Sequence, residues 1–158
     1  MCNLSCSLIK WLMLAAVIVL ADYFTKQWAL LHLVLHEPQA VLPYFNFTLV
    51  YNQGAAFSML SNENGWQRWF LSAIALVVSV FIVYWLKRTP QTPTVHKLGL
   101  ACVLGGALGN AIDRLYYGYV IDFLDFHLGV WHFPAFNLAD SAITCGAILL
   151  LLTMWKKT

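Results

Sequence analysis

Four runs of mostly apolar residues punctuate the chain: Trp11 to Leu31, Trp69 to Leu86, Leu98 to Leu115 and Leu138 to Trp155. A helix over any of them would be roughly 27 to 31 Å long, matching a hydrocarbon core near 30 Å, so each predicts a membrane span. The first connection, His32 to Arg68, is too long for a turn. Within it YFNFTLVYNQGAAF is aromatic and β-branched, which predicts a strand over about Tyr44 to Tyr51 and then a turn at Asn52, Gln53 and Gly54. Gly54 permits a backbone conformation or a close approach that a Cβ would block. A small apolar sheet rimmed by Tyr44 and Trp66 would lie on the membrane surface, with Asn62, Glu63 and Asn64 as a solvated loop tip. Lys87 to Lys97 is short and basic and holds Pro90 and Pro93, so it reads as a turn. The last connection, 116–137, reads as an outer loop or short helix. Gly118 ends the third span there, Pro134 keeps the fourth from starting early, and Asn137 is its N-cap, which puts Asp140 at the third helical position.

The pattern defines an all-α integral membrane protein of four transmembrane helices with a small β-sheet and a short helix or loop on one face. Composition agrees: of 158 residues 61% are hydrophobic and 10% charged, against about 25% charged in soluble domains. No polar block is long enough for a separate soluble unit, so residues 1–158 form one integral domain. The basic residues are scattered singly or in pairs, which excludes a nucleic-acid surface. Cys2, Cys6, Cys102 and Cys145 show no metal-ligand spacing and read as small packing residues. Lys10 followed by Trp11 to Leu31 mimics a signal peptide, but the run has no clear cleavage site and reads as a retained anchor. With the N-terminus inside, Lys10, Lys87, Arg88, Lys97, Lys156 and Lys157 fall on the inner side, and only Lys26, Arg68 and Arg114 on the outer. The positive-inside rule then gives N-in, C-in, and all seven tryptophans fall at one interface or the other.

In that orientation all seven acids lie in the outer half, and four of them, Asp113, Asp122, Asp125 and Asp140, fall between Gly105 and Ser141. A carboxylate beside lipid requires a reason. Asp22 and Lys26 share a helix face four residues apart and read as a structural ion pair. Gly105, Gly106 and Gly109 mark close packing of the third span, and Asn110, Asp113 and Arg114 can point to one locus one turn later. Asp140, at a helix N-terminus, has a bland explanation in the helix dipole. His32 and His36, four apart, lack the acid of a zinc-protease pattern, and His127 and His132 add none; no metal site is expected. Two carboxylates at close range share a proton, so that one activates water while the other polarises a carbonyl. No serine or cysteine has a convincing histidine partner, and no wide polar cleft suits a sugar. These arguments make Asp140 a strong member of a pair and leave Asp122 and Asp125 tied.

Five motifs resolve the tie by resemblance: Asp22 with Lys26, NQGAAF from Asn52, GNAIDR from Gly109, VIDF from Val120 and FNLADS from Phe136. In order and over nearly the whole chain, they resemble signal peptidase II, the bacterial lipoprotein signal peptidase family. The resemblance implies an aspartic endopeptidase with Asp122 and Asp140 as catalytic dyad. It further implies that Asn52, Gly54 and Arg114 contact substrate backbone, that Asn110 and Asn137 position groups at the dyad, and that Asp22, Lys26 and Asp113 are supports. The implied substrate is a diacylglyceryl prolipoprotein, cut immediately before its lipidated cysteine without metal or organic cofactor. Also implied are contact with membrane lipids, inhibition by cyclic peptide antibiotics of the globomycin type, and a bacterial inner-membrane location with the site facing the periplasm. The chief alternative is a proton- or cation-coupled transporter, which the one-sided clustering of acids disfavours. A non-catalytic scaffold would leave that cluster unexplained.

Overall fold

A computed structural model describes residues 2–54, 65–89 and 91–155. The anticipated loop tip at Asn62 to Asn64, Pro90, and Lys156 and Lys157 lie outside the described residues. Among the described residues, four helices are long and apolar enough to cross a membrane: α1 (Cys2–His32), α2 (Trp66–Arg88), α3 (Thr94–Tyr116) and α4 (Leu138–Trp155). They cover the four anticipated spans. The first three run beyond the apolar stretches into polar flanks, because a helix continues past the hydrocarbon boundary until a capping or breaking residue ends it. Gly118, with φ of 86°, follows the end of α3 as expected.

α3 is the hub. α1, α2 and α4 all pack on it, whereas α1 and α2 barely touch each other. One apolar cluster joins Trp11 and Ala15 of α1, Ile82 and Leu86 of α2 and Leu100, Ala101 and Leu104 of α3. The α3–α4 seam depends on small residues: a Cβ on Gly106 would collide with the Ala139 carbonyl, so only glycine allows the backbones to meet there.

At one end of the bundle lies a four-stranded antiparallel sheet, β1 (Gln39–Leu42), β2 (Phe45–Asn52), β3 (Val120–Leu128) and β4 (Trp131–His132), in sequential order. The strand anticipated at Tyr44 to Tyr51 is β2, displaced by one residue. The 116–137 connection corrects the sequence reading: it is neither plain loop nor short helix but carries β3 and β4. Ile121 and Phe123 of β3 and Leu49 of β2 pack on Ala29 and Leu33, so one face of the sheet is fastened to the C-terminal end of the first helix. The ladder slips between Phe47 and Val50, and on the other side the amides of Phe123 and Leu124 both donate to the Phe136 carbonyl. This bulge turns two successive residues, Phe123 and Leu124, toward the same apolar cluster. Asp122 and Asp125, three apart, are thereby left together on the opposite face, where strict alternation would have separated them.

Candidate active site

The site grows from a buried lysine. Lys26 Nζ lies 2.6 Å from Asp22 Oδ2, 2.8 Å from Asp113 Oδ2 and 3.1 Å from Asn110 Oδ1, which gives each of its three donors an acceptor. The two carboxylates reach further. Asp22 Oδ1 accepts from the Ala139 amide at 2.9 Å and Asp113 Oδ2 from the Ile121 amide at 3.1 Å. One cation thus ties α1, α3, the start of α4 and the start of β3 together. Gly109 makes room: a Cβ there would stand 2.7 Å from Asp22 Oδ2.

Asp140 and Asp122 are held above this support. Asn137 caps α4 as expected, its Oδ1 accepting from the Asp140 amide at 2.9 Å, while Asp140 Oδ2 accepts from the Asn137 amide at 3.3 Å. This reciprocal box fixes the Asp140 side chain and leaves Oδ1 to accept from Asn110 Nδ2 at 2.7 Å. The Asn137 Nδ2 group donates at 2.8 Å to Asp122 Oδ1, whose other oxygen accepts from Asn52 Nδ2 at 3.0 Å. Asn137 therefore touches both carboxylates, that of Asp122 through its side-chain amide and that of Asp140 through its backbone amide. Burial, and then the charge of Asp140, push the Asp122 carboxyl up to about 7 against the opposing pull of Asn52, Lys26 and Asn137.

Arg114 closes the arrangement at the side. Its Nη1 donates to the Asn110 carbonyl and its Nη2 to the Gly54 carbonyl, each at 3.3 Å, and its Nε is buried with no partner among the described residues. The Gly54 amide donates to Asn52 Oδ1 at 3.0 Å, completing the turn anticipated there. A cavity of about 500 Å³ opens onto Asn52, Asn110, Arg114 and Asp140 and continues along Ile143 and Thr144 of α4 beneath Phe133 to Phe136. Its polar end holds charge, and its apolar end follows a membrane-spanning helix.

All ten residues singled out from the sequence thus fall into one connected set: Asn52, Asn110, Arg114 and Asp140 line the cavity, Asp122, Asn137 and Gly54 are hydrogen-bonded to them, and Asp22, Lys26 and Asp113 lie below. Asp125 stands apart on β3. Thr48 Oγ1 donates to its Oδ2 at 2.7 Å and His132 Nδ1 lies 2.8 Å from its Oδ1. Burial raises the Asp125 carboxyl, but the hydrogen bonds from His132, Thr48 and Asn46 outweigh it and hold the group below the usual range. No sequence pattern linked Thr48 to an aspartate 77 residues away. Among the described residues no group of three or more His, Cys, Asp or Glu could hold a metal ion. His32 bonds to its own helix at the Trp28 carbonyl, and His127 stacks on His132.

Fold and cavity define a multi-pass membrane protein whose polar site sits where the helix ends meet a surface sheet. The chain belongs to the signal peptidase (SPase) II family, whose model matches residues 14–156. It is 51% identical over 148 residues to a lipoprotein signal peptidase of Alteromonas mediterranea, an alignment covering 94% of this chain and 81% of that protein. It is 49% identical over 156 residues to one from Hydrogenovibrio crunogenus, covering 98% and 91%. Among solved structures, a bacterial membrane enzyme determined at 2.3 Å superposes with a TM-score of 0.83 at 30% identity, covering 93% of this chain and 88% of that one.

Proposed function

We propose that this chain is a membrane aspartic endopeptidase that removes signal peptides from diacylglyceryl prolipoproteins, cutting immediately before the lipidated cysteine. The observation that carries the reading is that Asn137 donates to both carboxylates, to Asp122 from its side-chain amide and to Asp140 from its backbone amide, beside a cavity with one polar and one lipid-like end. With its pKa brought to about 7, Asp122 can carry or release a proton near neutrality. The ionised member takes a proton from water, whose oxygen bonds to the scissile carbonyl carbon. The protonated member donates to the carbonyl oxygen as it becomes tetrahedral. Collapse of that intermediate breaks the C–N bond, and the departing amine takes up a proton, leaving a carboxylic acid on the signal peptide. Arg114, with its Nε free of partners among the described residues, and the Asn52–Gly54 turn are placed to hold substrate backbone. Asn110 and Asn137 keep each carboxylate in its orientation.

The diacylglyceryl tails would lie in lipid beside the apolar wall of α4. The six inner and three outer basic residues support an N-in, C-in protein of the bacterial inner membrane, with its site toward the periplasm. Cyclic peptides of the globomycin type, which combine an apolar body with peptide groups, fit the same cavity. The test is cleavage of a purified diacylglyceryl prolipoprotein in detergent, read as a gel shift, with Asp122→Asn, Asp125→Asn and Asp140→Asn beside wild type. We expect wild type and Asp125→Asn to cut and the other two to lose at least about a thousandfold in rate, the scale of removing an acid or base. Cutting by Asp122→Asn together with silence of Asp125→Asn would replace Asp122 by Asp125 in the pair. Uncut substrate with folded wild type would sink the peptidase reading.

A further inference from the structure

A second cavity of about 400 Å³ adjoins the first. It is bounded by Thr48, Val50, Asp125 and His132, and it shares the wall Phe133, Pro134 and Ala135 with the catalytic cavity. Val50 is the ladder partner of Asp122, so this second space begins one strand position from the proposed dyad. The β3 bulge turns Asp125 toward it. The wall residues form a strap along the edge of β3, pinned by the Phe133 amide to the Phe126 carbonyl at 2.8 Å and by the Phe136 amide to the Leu124 carbonyl at 3.1 Å.

At the edge of this space stands an imidazole held by a carboxylate. Asp125 is almost wholly buried and accepts from Thr48 and His132, whereas the His132 side chain is 45% exposed. A carboxylate can only accept, so the hydrogen of the short contact belongs to His132 Nδ1, and Nε2 is left to face outward. Among the described residues Nε2 has no partner, and His127 stacks on the ring at 5.1 Å and holds its plane. Such an Asp–His unit presents one oriented polar atom at the rim of a cleft, a fitting partner for a peptide N–H or carbonyl.

We propose that this second cavity is the subsite for the substrate chain just downstream of the cleaved bond, with His132 Nε2 meeting its backbone and Asp125 as the positioning residue behind it. The inference rests on the peptidase reading. A signal segment that follows the spans has to lie along the apolar wall of α4, and the chain beyond the scissile bond must then leave across the sheet. The space on the sheet face sets the polar groups of Thr48, Asp125 and His132 in a mostly apolar lining and shares the strap Phe133 to Ala135 with the catalytic cavity, as suits a peptide leaving the dyad along the sheet.

The test compares two lipidated substrates, one ending directly after the modified cysteine as an amide and one continuing for six residues, with wild type, His132→Ala and Asp125→Asn. We expect wild type to favour the longer substrate by about tenfold in kcat/KM, chiefly through KM, the scale of one or two peptide hydrogen bonds. His132→Ala should narrow that preference to within about twofold, with Asp125→Asn between. The preference is a ratio within one preparation, so a poorly folded variant cannot imitate its loss. A wild type indifferent to substrate length, or a His132→Ala variant that keeps the tenfold preference, would overturn the subsite. A wild type that cuts neither substrate would instead remove the peptidase reading beneath it.

Discussion

Asp122 differs from the other acids because burial acts on it without a full counter-ion. Lys26 is already shared by Asp22, Asp113 and Asn110, and reaches Asp122 only as a distant charge. Its folded pKa of about 7 lies above the ordinary 3.8, which fixes the sign of the pH effect. The protonated form is the one the fold favours. Its contribution to stability is complete below pH 3.8 and is lost as pH rises through 7, reaching roughly 4 kcal/mol at most well above that. Asp122→Asn removes the titration. Whatever the difference in Tm between variant and wild type at pH 5, it should move in favour of the variant as pH rises to 8.5, measured by thermal unfolding in detergent. A difference that stays flat across that range would show that Asp122 ionises as an ordinary carboxyl. In the same window wild-type kcat/KM should fall about tenfold per pH unit above 7, as Asp122 loses its proton.

Among the elements, the α3–α4 seam sets the geometry of the dyad. Gly106 lies on the Ala139 carbonyl, one turn from the Asn110–Asp140 bond of 2.7 Å. A side chain there must push the helices apart and stretch that bond. Gly106→Val should therefore cost about 1–3 kcal/mol of stability and more than tenfold in activity. Ala147→Val, on the exposed face of α4, should leave both near wild type. Equal activity of the two variants would mean that the seam tolerates separation without moving Asp140. These helices were legible in the sequence because apolar length alone identifies a span, and glycines within one foretell close approach. The cap at Asn137 was legible for the same local reason. β3 was not: in VIDFLDF the bulge puts Phe123 and Leu124 on one face, so the alternation that announces a strand is broken where the acids sit. Resemblance grouped Asp113 with Asp22 and Lys26, but spacing could not show their contact, which forms only when α1 packs on α3, nor that Asp125 bonds Thr48 and His132, which meet only once the strands pair. The Asp22–Lys26 pair was visible because it lies within one helix turn.

For the whole molecule, the sheet and the dyad occupy one end of the bundle while the α2–α3 turn, with its basic residues, occupies the other. A hydrolase built this way needs water at the sheet end only, and its substrate must offer the scissile bond at that surface. The polarity of the molecule in the membrane therefore decides which compartment receives the product. Val130, at the tip between β3 and β4, is 93% exposed, and Gln91 is exposed in the α2–α3 turn. In a cysteine-free background, Val130→Cys should react with a membrane-impermeant maleimide added to intact spheroplasts, and Gln91→Cys only after the membrane is opened. The reverse pattern would turn the dyad toward the cytoplasm. The distribution of basic residues would then have misjudged the orientation, and a signal segment entering N-in could not bring its cleavage site to Asp122 and Asp140.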